Sequence, residues 1–109
     1  MNQFLEINRT GTYSVKYEES KTYLKKSLSL NKSHYPSWLN LAICYKNLEE
    51  YQNSFNAFSK ALLLNPLDND LYYNLGNLYL ALEHYSYALK YYFKVLLFVH
   101  IALLLSMIL

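Results

Sequence analysis

The sequence predicts an all-α fold of antiparallel helix hairpins, and three observations carry that expectation. Only two Gly and two Pro occur in 109 residues, which favours long helices joined by short loops over many short strands. Apolar residues in Trp38–Leu48 and Phe55–Leu64 recur at spacings of three and four, the period of an amphipathic helix. The chain also matches itself when shifted by about 34 residues, which divides it into segments 1–34, 35–68 and 69–102. At 53% hydrophobic it has ample material for a core, and its length fits one compact domain or a few stacked hairpins.

In segment 1–34, Phe4, Ile7, Tyr17, Ser20, Leu24 and Ser27 fit the repeat, while Asn8 and Gly11 replace its small and aromatic positions. This reads as a partial, degenerate hairpin. Segment 35–68 is complete: Trp38, Leu41, Ala42, Tyr45, Ser54, Phe58, Ala61 and Pro66 fill its positions. Pro36 with Ser33 just upstream marks the start of its first helix, and Asn65-Pro66 the end of its second. Segment 69–102 repeats the set as Tyr72, Leu75, Gly76, Tyr79, Ala88, Tyr92 and Val95, after N-cap candidates in Asp68 to Asp70. It departs where His100 stands in place of the closing Pro.

Trp38-Leu39-Asn40-Leu41-Ala42-Ile43-Cys44-Tyr45 and Tyr72-Tyr73-Asn74-Leu75-Gly76-Asn77-Leu78-Tyr79 resemble the first helices of tetratricopeptide repeats. Roughly residues 17–95 carry the resemblance. It implies an α-solenoid, a right-handed superhelical stack of helix hairpins, and a protein-interaction scaffold. Small residues at Ala42, Gly76, Ala61 and Ala88 let helices approach, and large aromatics fill the gaps. Among the thirteen tyrosines, Tyr17, Tyr45, Tyr51, Tyr72, Tyr79, Tyr85 and Tyr92 occupy inter-helix packing positions, so they are expected in the core rather than on a stacking platform.

The resemblance also implies a ligand groove lined by the first helix of each hairpin. The residues are Pro36, Leu39, Asn40, Ile43, Lys46 and Asn47, then Asp70, Tyr73, Asn74, Asn77, Leu80 and Ala81. Asn40 and Asn74 lie one repeat apart and resemble the asparagine ladders of peptide-binding arrays in this family; a carboxamide suits the backbone of an extended peptide. Asparagine is equally an ordinary exposed polar residue, and the two readings stand side by side. A clamp for a terminal carboxylate is disfavoured, because Leu5 and Arg9 precede Asn40 and Asp70 and Asn74 follow it, and Asp70 would repel the ligand.

Other functions find little support. Net charge is +2 with both signs interspersed, so nucleic acid is not an expected partner. Cys44 is alone, which rules out an internal disulfide and favours a reducing compartment, the cytoplasm or the nucleus, with the cytoplasm the expected location. Glu6 and Asn8 interrupt what a secretory signal would need. His34, His84 and His100 share no metal-ligand spacing, and no nucleophile triad or phosphate loop occurs, so no catalysis, metal or cofactor is expected. Glu18-Glu19 and Glu49-Glu50 are neighbours only in sequence, since adjacent helix residues diverge by about 100°.

From Val95 to Leu109 no residue is charged and only His100 and Ser106 are polar. Three readings stay open: a membrane anchor reaching back to Leu89, with Lys90 and Lys94 snorkelling and the array on the cytosolic face; a capping or self-associating helix; or unrelated sequence where the repeat is cut off. The expected function is a scaffold that binds a partner's peptide. The alternatives are a non-catalytic part of a larger transferase-type enzyme and a membrane-anchored adaptor.

Overall fold

The computed structural model describes residues 12–109. Phe4, Leu5, Ile7, Asn8, Arg9 and Gly11, invoked above for the degenerate hairpin and the carboxylate clamp, lie outside the described residues. Within them the chain forms α1 (Thr12–Leu30), α2 (Tyr35–Asn47), α3 (Tyr51–Leu64), α4 (Asn69–Ala81) and α5 (Tyr85–Ile108), and no strand. Two compact units divide at Asn65/Pro66. In the first, α1 packs on α2 and α2 pairs with α3; in the second, α4 pairs with α5.

The first unit begins its hairpin at an N-cap on His34, not Ser33, whose N–H is instead taken by Asn31 Oδ1 at 3.0 Å. Pro36 sits in the first turn, where a missing N–H costs nothing. Trp38 Nε1 donates to the Lys32 carbonyl at 2.8 Å and ties down the loop before the helix. At the far end Glu49 adopts φ 61, and its N–H donates to Lys46 O at 3.0 Å while Glu50 N–H donates to Tyr45 O at 2.8 Å. This is a Schellman stop, made here without the usual glycine. Helix α3 ends because Asn65, forced extended before Pro66, has φ −150 and ψ 88.

Small residues set the spacing of α2 and α3. Ala42, Ala57 and Ala61 are buried around Phe58, and the buried Ser54 hydroxyl donates to the Ala42 carbonyl at 2.8 Å. Leu28 of α1 joins the core. Lys21 of α1 reaches both Glu18 and Glu50 at 3.0 Å and lies 5.8 Å from the Tyr45 ring centre, so it links α1 to the α2–α3 turn. Ser27 Oγ and Ser37 Oγ, 2.9 Å apart, make a second link.

The second unit repeats this construction with different chemistry. Its first helix is capped by Asp68, whose Oδ1 accepts from Asp70 N–H at 3.1 Å, as expected. Tyr72 donates its hydroxyl to the Pro66 carbonyl. Glu83 has φ 61 and closes the same stop as Glu49, with Glu83 N–H on Leu80 O at 3.0 Å and His84 N–H on Tyr79 O at 2.9 Å. In place of the Ser54–Ala42 contact, Tyr92 of α5 lies directly on Gly76. A Cβ there would stand 2.5 Å from the Tyr92 ring, so the glycine is required by close approach. Tyr79 stacks with Tyr87 at 5.2 Å and with Tyr91 at 5.5 Å. Tyr85, expected to pack, is 58% exposed, because it is the first residue of α5 and precedes the stretch that faces α4. Helix α5 runs straight through His100, since nothing there interrupts it once the closing Pro is absent.

Candidate functional site

An open groove with mixed lining lies in the first unit, between α1 and α2. Its volume is about 410 Å³, and its lining is Tyr17, Ser20, Tyr23 and Leu24 from α1 with Asn40, Ile43 and Cys44 from α2. Tyr17, Ser20 and Leu24 fall on one face of α1 by their spacing of three and four. Asn40 and Ile43 do the same on α2, one turn apart. The floor is apolar, through Leu24 and Ile43, and Tyr23, 74% exposed, stands at the edge.

Of the residues expected to line a groove, Asn40 and Ile43 line this one, with Asn40 exposed and Ile43 half-buried. Asn47 and Pro36 are exposed and Lys46 is half-buried, all outside its lining. Leu39 is buried and belongs to the core, contrary to expectation. In the second unit, Asp70 and Tyr73 are exposed, as are Leu80 and Ala81. Asn74 is half-buried and donates Nδ2 to the Asp70 carbonyl at 2.7 Å, so one of its donors serves its own helix. Asn77 accepts the Tyr92 hydroxyl on Oδ1 at 2.6 Å, which makes it part of the α4–α5 packing. The wall supplied by α1 was not anticipated, because the repeat rule assigns grooves to first helices. The shared face of Tyr17, Ser20 and Leu24 was the available signal.

Lys21 of α1, beside the lining residue Ser20, is held by two carboxylates, and its hydrogen bonds to Glu18 and then Glu50 raise its pKa above the ordinary 10.5. Cys44 is 6% exposed, and burial pushes its thiol up from 9.0, partly opposed by Lys21; it is therefore a packing thiol and not an activated nucleophile. His34 Nδ1 lies 2.7 Å from Ser37 Oγ, but Ser37 is 3% exposed and its hydroxyl is also shared with Ser27. The Ser27–Ser37 contact joins α1 to the start of α2, so the Ser37 hydroxyl serves the packing of the two helices. Among the described residues no three His, Cys, Asp or Glu side chains gather as a metal site.

A search of curated proteins finds no match to the chain. A family model described as tetratricopeptide repeat matches residues 16–34, 35–66 and 70–97. Those three stretches take in most of α1, the whole α2–α3 hairpin and much of the α4–α5 hairpin, and they include both Schellman stops and both small-residue contacts described above. The three matched stretches make the chain a member of the tetratricopeptide repeat family.

Proposed function

We propose that the chain is a non-catalytic scaffold whose α1–α2 groove takes a short, extended peptide segment of a partner protein. Repeats of this family serve protein–protein interaction in general, and the groove supplies a location for it. The observation that carries the reading is Asn40, an exposed carboxamide beside an apolar floor. Two donors and an acceptor match a peptide backbone, and Ile43 and Leu24 can receive one apolar side chain. The pairing of Lys21 with Glu18 and Glu50 leaves it neutralised, so a peptide is selected by its backbone and an apolar residue, not by a carboxylate.

The test is binding of the chain to an immobilised library of short peptides, repeated with Asn40→Ala, Ile43→Asp and Asn74→Ala. Ile43→Asp is expected to weaken the selected peptides about tenfold or more, and Asn40→Ala several-fold to about tenfold, with helicity unchanged. Undiminished binding by a folded Ile43→Asp chain would sink the groove. Asn74→Ala separates two forms of the idea: a loss equal to that of Asn40→Ala supports a ladder of both asparagines, and no loss confines recognition to the first unit.

A further inference from the structure

Helix α5 is much longer than its partner: 24 residues against 13 for α4, or about 36 Å against about 20 Å. The ring contacts fix where the partner runs out. Tyr79, near the end of α4, meets Tyr87 and Tyr91, while Tyr72, in its first turn, meets Tyr91 and, at 5.8 Å, Phe98. Beyond Phe98 there is no α4 left to pack against. Every residue from Val99 to Leu109 is exposed, and the apolar window of α5, with a mean hydropathy of 2.0, has none of its residues buried.

What would cover this segment is decided by how its apolar surface is distributed. Leu103, Leu104 and Leu105 are consecutive and all exposed, so at about 100° per residue they face three directions; Val99 and Ala102, also exposed, fall in the sector left between Leu105 and Leu103. A second copy of the helix, or a protein groove, covers one face and leaves the others in water. Hydrocarbon covers them all. Charge is partitioned along the same axis. Lys94 is the last charged residue, and Lys90, Lys94, Tyr91 and Tyr92 form a band just before the uncharged stretch, as residues at a headgroup boundary do. Lys94 Nζ lies 5.1 Å from the Tyr72 ring centre, which sets this boundary against the start of α4.

We propose that α5 inserts into a lipid bilayer from about Val95 onward, with Lys90, Lys94 and the neighbouring tyrosines at headgroup level and the α4 end of the hairpin outside the hydrocarbon. The contact is driven by apolar surface, so it does not depend on anionic lipid.

The experiment is flotation of the full chain on a density gradient with phosphatidylcholine vesicles, with and without phosphatidylserine, in low salt and in about 1 M salt, where charge attraction is screened. The chain is expected to float with both compositions at both salt levels. The comparison variant is Leu103→Asp combined with Leu104→Asp; these side chains are exposed, so the hairpin folds as before, and equal helicity checks it. Its vesicle-bound fraction should fall by about a hundredfold or more, since a carboxylate in hydrocarbon is far costlier than in water. The proposal fails if the native chain stays at the bottom of the gradient, including as a discrete self-associated species. It also fails if flotation needs phosphatidylserine and is lost in high salt, or if the Asp variant floats as well as the native chain.

Discussion

The Tyr92 hydroxyl donates to Asn77 Oδ1 at 2.6 Å while its ring rests on Gly76, so one side chain both fills and latches the α4–α5 hairpin. The contact tolerates no added methyl group. In Gly76→Ala the new Cβ would meet two atoms of the Tyr92 ring at 2.5 and 2.7 Å, and the ring cannot withdraw without breaking its bond to Asn77. Overpacking of this kind costs about 1–3 kcal/mol, and the better helix propensity of Ala returns about 1 kcal/mol. The net expectation is a loss of up to about 2 kcal/mol, read as a lower midpoint in thermal or urea unfolding. Combining Gly76→Ala with Tyr92→Leu should recover part of it, and a purely additive double variant would show that the two residues are not coupled.

The second prediction concerns Glu49 and Glu83, each held at φ 61. A left-handed residue with a Cβ carries strain of about 1 kcal/mol or more, which glycine avoids at some cost in unfolded-chain entropy. Neither Schellman bond uses the Glu side chain, because both are made by backbone N–H groups. Glu83→Gly should therefore stabilise the α4–α5 hairpin by roughly 0.5–1 kcal/mol, and Glu49→Gly the α2–α3 hairpin by a similar amount. A fall in the unfolding midpoint of either variant would show that the Glu side chain makes a stabilising contribution of its own.

Much of the fold was legible because its determinants are local. Asn65-Pro66 announces a helix end through sterics alone, and Asp68 announces a cap through a side chain two residues from the N–H it accepts. The stops at Glu49 and Glu83 were not legible, since glutamate carries no preference for φ above zero; the chain turns there because the helices on both sides are already committed. The candidate groove was legible only on its α2 side. Asn40 and Ile43 follow from repeat position, whereas the fate of Asn77 depended on Tyr92, fifteen residues away, reaching back across the hairpin. The exposed end of α5 was visible as composition, but its lack of a packing partner needed the register set by Tyr72 and Phe98.

The last prediction is an alkaline limit to stability with an identifiable first step. Burial raises the Cys44 thiol above 9.0, burial and then the neighbouring Tyr91 and Tyr87 raise Tyr79 above 10.0, and the hydrogen bonds that Lys21 donates to Glu18 and Glu50 raise it above 10.5. All three have the same sign: the folded chain holds the proton more tightly than the unfolded one. Each contribution is thus fully present below the unfolded value and is lost as pH climbs toward and through the folded one. The unfolding midpoint, followed by circular dichroism, should stay level with respect to these groups through neutral pH and fall as pH approaches 9, where unfolded Cys44 ionises more readily than folded Cys44. In Cys44→Ala the plateau should be lower, because a buried sulfur is lost, but the decline should begin only near 10, at Tyr79 and Tyr92, both raised by burial. The same onset in both chains would assign the first alkaline step to some other group.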